Sequence, residues 1–283
     1  MNIVVTGAHG KLGRYVCDYV QQQGATVLAV DRVRPPAGST HQWLLADLTD
    51  LGQTYDAIAG ADAVIHLAAI PSQRIHPSAH TFITNVGATW NVFEAAARLH
   101  VPRVVHATSI QVNSTVTPRT PLRYHYLPLD EDHPVSPQDD YGMSKWVGEH
   151  LGTMFANHWG LTTVGLRFPW IAAPEEWSSL PRREQPDPKA ALYAYIHIQD
   201  AARASFLATT AALPPKTHTV LFVAAHDSYL DLPSHEYVRQ AFPDAEIRPG
   251  LEGYGSLLNC NRAAQTIGFV PSMSFRTESK GAA

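Results

Sequence analysis

Tyr141-Gly142-Met143-Ser144-Lys145 sets a phenol and an ammonium four residues apart. On a helix that spacing places both side chains on one face, one turn from each other. A tyrosine hydroxyl titrates near about 10, so using it as a base near neutrality requires a nearby positive charge. Lys145 supplies one. Alone, such a pair is most often an ordinary surface pair, so its weight depends on where it falls. It follows Pro134 and Pro137, and it comes after a β-branched run that ends at Thr108-Ser109.

A second pattern stands near the N-terminus. Thr6-Gly7-Ala8-His9-Gly10-Lys11-Leu12-Gly13 follows a first strand and opens a first helix. Glycines so placed let the backbone turn tightly, approach a pyrophosphate and pack helix against strand. The helix start adds free N–H groups and a positive dipole end. The G-x-x-G-x-x-G spacing differs from G-x-G-x-x-G, and three glycines in a turn can be purely structural. Their position after the first strand favours a nucleotide, so Gly7, His9, Gly10, Lys11, Leu12 and Gly13 are expected at a cofactor. Asp31 closes the second strand, where an acid meets the adenosine ribose. A carboxylate there accepts from both ribose hydroxyls and repels a 2′-phosphate, which favours NAD over NADP. Arg32 and Arg34 pull the other way, since a guanidinium accommodates that phosphate.

The elements that must hold these groups alternate in type. Strands are predicted at Asn2–Thr6, Thr26–Val30, Trp43–Leu45, Ala63–Leu67, Arg103–Thr108 and Thr162–Phe168. Helices are predicted near Lys11–Gln23, Leu51–Ile58, Thr81–Leu99 and Tyr141–Asn157. That βαβ rhythm implies an α/β fold with a parallel sheet covered on both faces, and ligands at the carboxyl ends of its strands. After Phe168, Pro174, Pro181, Pro186 and Pro188 break the pattern. A helix near Ile198–Thr210, a strand near Thr219–Val223 and a helix near Ser234–Ala241 follow. The expected division is a nucleotide core over 1–168 and a mixed segment, 169–283, that returns to the core and forms a small annex, all in one integrated unit.

With 45% hydrophobic and 16% charged residues, the chain of 283 has ample material for a core. Its formal net charge of −4 and lack of a basic block argue against nucleic acid or an anionic membrane as partner. No apolar run approaches the roughly 20 residues of a spanning helix, and the N-terminus reads as strand rather than signal peptide. Cys17 and Cys260 stand far apart, as reduced thiols of a cytoplasmic protein do. No metal is expected: His76 and His80 have helical spacing but surround Pro77 and lack a third ligand.

Taken in order, these motifs resemble the extended short-chain dehydrogenase/reductase family, also called NAD-dependent epimerase/dehydratases. The likeness runs through the glycine turn, Asp31, Asp47-Leu48, His66-Leu67-Ala68-Ala69 and Asn85-Val86-Gly87-Ala88-Thr89-Trp90-Asn91. It continues through Ser109, the Tyr141 and Lys145 pair, Arg167-Phe168, His197-Ile198-Gln199-Asp200 and Ile267-Gly268-Phe269-Val270-Pro271. The resemblance implies a Rossmann-type doubly wound sheet, an enzyme, NAD as cofactor and a sugar-like substrate. It implies that Tyr141 exchanges a proton with a substrate hydroxyl while hydride moves to or from the nicotinamide. Ser109 then binds the same oxygen, and Lys145 also binds the nicotinamide ribose. Asp47 and Leu48 fall near the adenine, and Leu67, Ala68, Ala69 and Pro169 join the cofactor set. Asn85 supports the local backbone and assists the relay, with a helix N-cap as an equal alternative. Ser72, Gln73, Gln111, Arg167 and Trp170 are candidate substrate contacts. A homodimer through the helices at Thr81–Leu99 and Tyr141–Asn157 is also implied.

Departures from the family pattern narrow the chemistry. Ile110-Gln111 replaces the Asp-Glu pair with which sugar dehydratases eliminate water, so dehydration is disfavoured. Asn113-Ser114 stands where Tyr-Gly is common. The loop before Tyr141 carries Arg119, Arg123, Tyr124, His125 and Tyr126, read equally well as a substrate mouth or as surface. Asp130-Glu131-Asp132 reads as a solvated turn, Trp170 more as core than as a stacking platform, and Arg182 and Arg183 more as a solvated pair than as an anion site. The short Ala172–Ala194 stretch points to a compact sugar, sugar acid or polyol. The expected activity is an NAD-dependent oxidoreductase or epimerase. Alternatives are a simple sugar or uronic-acid dehydrogenase that releases NADH, and a non-catalytic NAD(P)-sensing regulator.

Overall fold

The computed structural model describes residues 1–71, 76–115, 120, 122–179 and 192–278. Its strands are β1 Asn2–Thr6, β2 Thr26–Asp31, β3 Gln42–Leu45, β4 Ala63–His66, β5 Arg103–Ser109, β6 Tyr126–Leu127, β7 Thr162–Phe168, β8 Trp170–Ala172, β9 Tyr195–His197, β10 His218–Phe222 and β11 Glu246–Ile247. Its α-helices are α1 Lys11–Gln22, α2 Leu51–Ile58, α3 Ser78–Arg98, α4 Asp140–Trp159, α5 Ile198–Thr210, α6 Ser234–Ala241, α7 Asn261–Ile267 and α8 Phe275–Glu278.

Seven strands form one parallel sheet in the order β10-β7-β5-β4-β1-β2-β3. The chain runs outward from β1 through β2 to β3, then returns to the other side of β1 with β4. A crevice opens at such a reversal, beyond the strand ends, and there a nucleotide binds. The expected Rossmann-type α/β fold is thus borne out. Helix α3 starts three residues before the expected Thr81, directly after Pro77, a residue suited to a helix start.

Both faces of the sheet are covered, which is why its strands are apolar runs rather than alternating ones. Val16 and Val20 of α1 pack with Ala204 and Ala208 of α5 on one face. Ile58 of α2, Val92 and Phe93 of α3 and Phe155 of α4 cover the other. After β7 the chain contributes α5 and β10 to this core, and its Tyr193, Tyr237, Phe242 and Leu257 form a smaller cluster with Leu127 and Leu129 from the segment before α4. The two- and three-residue strands β6, β8, β9 and β11 belong to this later part or its approach, and are too short to leave a periodic signal.

Candidate active site

Two adjoining cavities lie along the carboxyl ends of the central strands. The smaller, about 180 Å³, is lined by Asp31 at the end of β2 and Arg32 after it, Asp47 and Leu48 after β3, Ala68 after β4, and Asn85 of α3. The larger, about 570 Å³, holds Ser109, Tyr141 and Lys145 together with Lys11, Leu12 and Gly13 of the glycine turn. Gly7, Gly10, Leu67 and Ala69 border both. Pro169, Gln111 and Trp170 wall the larger one.

The residues of the groove suit a dinucleotide. A Cβ on Gly13 would lie 2.1 Å from the carbonyl oxygen of Gly7, so only glycine lets α1 begin against the turn and aim its first N–H groups into the crevice. Asp31 is held by two backbone donors, His9 N to Oδ2 at 2.9 Å and Val33 N to Oδ1 at 3.1 Å. A carboxylate offers about four acceptor sites, so two remain for ribose hydroxyls. Outside the cavity linings, the His9 ring meets Arg34 O at 3.0 Å. Lys11 reaches across the larger cavity's rim, donating to Ile171 O at 2.6 Å and pairing with Glu176.

The candidate reacting groups meet where β5 ends and α4 begins. Ser109 Oγ accepts from Gln111 N at 3.1 Å, and the serine also hydrogen-bonds the Tyr141 phenol. Lys145 Nζ donates to Ala107 O at 2.9 Å and lies 5.7 Å from the centre of the Tyr141 ring. Burial pushes the phenol up to about 12; the Ser109 bond lowers it and the Asp139 carboxylate raises it further. Burial brings Lys145 down to about 8. Desolvation is the largest of these effects, and in the protein alone it favours the protonated phenol.

Asn85 is not an N-cap, because it sits inside α3. Its side chain clamps the backbone of residue 70, accepting from Ile70 N at 2.8 Å and donating to Ile70 O at 3.1 Å, and donates to Ser144 Oγ at 3.2 Å. Ser144 Oγ in turn donates to Tyr141 O at 2.7 Å. A buried line runs on from there: Thr89 Oγ1 donates to Asn85 O, His66 Nε2 lies 3.4 Å from Thr89 Oγ1, and Thr6 Oγ1 is 2.8 Å from His66 Nδ1. With its hydroxyl proton given to Asn85, Thr89 accepts from Nε2–H, which leaves Nδ1 to accept from Thr6. Burial, then the Lys145 charge, lowers His66 to about 3, so the ring stays neutral.

Other expectations need correction. Arg167 is not a substrate contact: its guanidinium is buried and bonded twice to Glu149 of α4, at 2.9 and 2.8 Å. Thr108 Oγ1 adds a third bond to the same carboxylate at 2.7 Å. Tyr124 and Tyr126 are buried, and Arg123 and His125 are exposed, so these four line neither cavity. Glu131 is not a solvated acid; it is buried and accepts from Phe222 N at 2.6 Å. Ser72, Gln73, Arg119, Arg182 and Arg183 lie outside the described residues. Among the described residues no group of three metal-ligating side chains occurs, and no helix is long and apolar enough to cross a membrane.

Sequence reasoning missed Asp139 and Glu149. Glu149 was findable, since it continues the spacing of Tyr141 and Lys145 by four more residues and so shares their face. Asp139 carries a cap signal, an acid just before a helix.

Comparison with known proteins agrees with this geometry. Residues 3–221 match the model of the NAD dependent epimerase/dehydratase family. The chain belongs to that family. It is 29% identical over 244 residues to an L-arabinose 1-dehydrogenase (NAD(P)+) of Haloferax volcanii, covering 81% of this chain and 91% of that one. A uronate dehydrogenase of Pseudomonas syringae pv. tomato is 24% identical, over 78% of this chain and 73% of its own. Among solved structures, a short-chain dehydrogenase/reductase superfamily protein from Agrobacterium tumefaciens with bound NAD superposes with a TM-score of 0.76 at 21% identity, over 100% and 96% of the chains. At that identity the likeness concerns the fold. Within the family, this member keeps the glycine turn and the Ser109, Tyr141 and Lys145 set in one continuous crevice.

Proposed function

We propose that the protein is an NAD-dependent oxidoreductase that acts at a carbinol of a compact, sugar-like substrate. One observation carries this: Ser109, Tyr141 and Lys145 converge where the nucleotide groove opens into a cavity of about 570 Å³. Bound NAD supplies the hydride acceptor. Asp31 holds the adenosine ribose, the first turn of α1 faces the pyrophosphate, and Lys145 holds the nicotinamide ribose. Ser109 fixes the substrate oxygen, and Tyr141 takes its proton as the carbon–hydrogen bond breaks, or returns it in reduction. A phenol raised by burial is a ready acid for the reductive direction, and cationic charge brought into the cavity lowers it for the oxidative one. Gln111 and Trp170 border the space where the rest of the sugar lies.

Retained cofactor would make an epimerase, and released NADH a dehydrogenase. The dehydrogenase form is favoured by the relatives that match most of their own length, an L-arabinose 1-dehydrogenase and a uronate dehydrogenase. The test is a panel of sugars, uronic acids and nucleotide sugars, read by NADH absorbance and by product isomer analysis. Turnover of a free sugar with NADH release is expected. Tyr141→Phe should lower kcat by about 10²–10⁴-fold while NAD still binds. An active Tyr141→Phe protein, or no turnover across the panel, refutes the assignment.

The proposal extends to assembly and placement. Ile83 and Trp90 of α3 and Trp159 of α4 are exposed, which supports a homodimer through these two helices; sedimentation as a monomer at micromolar concentration would exclude it. The unpaired thiols Cys17 and Cys260 support a cytoplasmic location. Residues 1–168 and 169–283 are proposed to act as core and annex of one unit, since α5 and β10 of the second segment pack into the first.

A further inference from the structure

The turn that carries Ser109 and the helix that carries Tyr141 are separate pieces of chain, and their alignment has to be enforced. A zipper of bonds does so. Ser136 N donates to Val112 O at 3.1 Å, Asn113 Nδ2 to Pro134 O at 3.1 Å, Ser114 Oγ to Ser136 O at 2.8 Å and Gln138 N to Ser114 Oγ at 2.6 Å. Asp139 completes it. Its Oδ1 caps α4 by accepting from Gly142 N at 2.6 Å, and its Oδ2 accepts from Gln111 Nε2. The two pieces touch at Gly142, where a Cβ would lie 2.5 Å from Gln111 O. Asp139 itself is buried, with both oxygens engaged.

We propose that Asp139 is a positioning residue for the Ser109 and Tyr141 pair, tying the first turn of α4 to the turn after β5 and fixing where serine and phenol meet. This rests on the roles assigned above to Ser109 and Tyr141. An asparagine in its place keeps one acceptor for the Gly142 cap but has none left for Gln111, and it removes a charge. Asp139 is the ionisable side chain acting on the phenol, which it raises. Asp140 follows on the same helix, Lys145 stands one turn further, and the facing residues 110–113 carry no ionisable side chain.

The test uses the full chain saturated with NAD. Asp139→Asn is expected to lower kcat by about tenfold with little change in the KM for NAD. In a Ser109→Ala background the same substitution should cost less than about twofold, because the alignment it protects is already lost. With tyrosine labelled at the phenolic carbon, and the Tyr141 resonance identified from Tyr141→Phe, the phenol should titrate at lower pH in Asp139→Asn than in the wild type. Gln111→Ala keeps the cap and the charge. It should lower kcat without lowering the phenol titration, and it carries the test if Asp139→Asn does not fold. Additive effects of the Ser109 and Asp139 substitutions overturn the proposal, as does an unchanged phenol titration in Asp139→Asn or an unaltered kcat in Gln111→Ala. If no substrate turns over, the assigned function fails while the titration still decides the role of Asp139.

Discussion

Arg167→Met is expected to destabilise the fold rather than weaken the hold on a substrate. The Arg167 and Glu149 side chains are 4% and 6% exposed, so each charge depends on the other. The carboxylate accepts from Nε and Nη2 of the arginine and from Thr108 Oγ1, and the guanidinium lies 5.2 Å over the Phe222 ring. Removing one partner of a buried pair costs about 3–5 kcal/mol, because the other charge is left uncompensated. For a chain of this size that corresponds to a melting temperature lower by roughly 5–8 °C. Replacing both, with Arg167→Met and Glu149→Leu, should recover most of the loss, since a well-packed apolar pair is often as stable as a buried ion pair. Urea unfolding followed by tryptophan fluorescence, with thermal scans and steady-state kinetics on the same proteins, measures all three. If Arg167→Met leaves the urea midpoint in place and raises the substrate KM tenfold, the pair is not structural and the arginine does reach the substrate.

Asp31→Asn should raise the NADP to NAD ratio of kcat/KM by about tenfold or more, equivalent to ~1.4 kcal/mol. The repelling carboxylate is gone while Arg32 remains at the groove, and an unchanged ratio would mean that selectivity lies elsewhere. Stability should fall as pH drops from about 6.5, where an unfolded histidine takes its proton, toward the folded values of about 3 for His66 and about 4 for His218. In that window the unfolded chain binds more protons, so stability rises with pH by about 1.4 kcal/mol per unit for each such histidine and levels off above it. His106, held well below the ordinary histidine value by burial, adds in the same direction. Urea midpoints that stay flat between pH 7.5 and 5 would contradict this.

Groups whose chemistry is unusual at a given place were legible in the sequence. Glycines after a first strand, an acid closing the second, and a phenol one turn from an ammonium each restrict the possibilities strongly, and the structure places these residues along one crevice. Arg167 was misread because its fate depends on register. Strands β5 and β7 pair Thr108 with Arg167, an adjacency across 59 positions that no local pattern reveals. Glu131 was misread for a similar reason: in sequence it is one of three successive acids, and only the return of β10 covers it. Tyr124 and Tyr126 look like a polar mouth when flanked by arginine and histidine. Tyr124 becomes core because the later part of the chain supplies Phe242 and Tyr237 to its cluster, and Tyr126 is covered by His133 and Arg248.

Helix α4 brings these themes together. Tyr141, Lys145 and Glu149 follow one another at four-residue steps along a single face, yet burial acts on them in different ways. Tyr141 is pushed toward its neutral, protonated form and Lys145 toward its neutral amine, whereas Glu149 meets a guanidinium and a hydroxyl at hydrogen-bond distance. The difference follows position along the sheet. Tyr141 and Lys145 overhang the carboxyl ends of the strands, where the crevice is open to ligands. Glu149 lies further along the helix over Thr108 and Arg167, where a charge has no access to solvent and must be paired. The face that carries Tyr141 and Lys145 is therefore anchored by a buried ion pair two turns behind the phenol. A helix seated by apolar contacts alone could slide by a rotamer's width with little penalty, whereas a bidentate arginine–carboxylate contact is directional. Loss of Arg167 should accordingly loosen the placement of Tyr141 as well as the fold, with kcat falling more than either KM in whatever fraction remains folded.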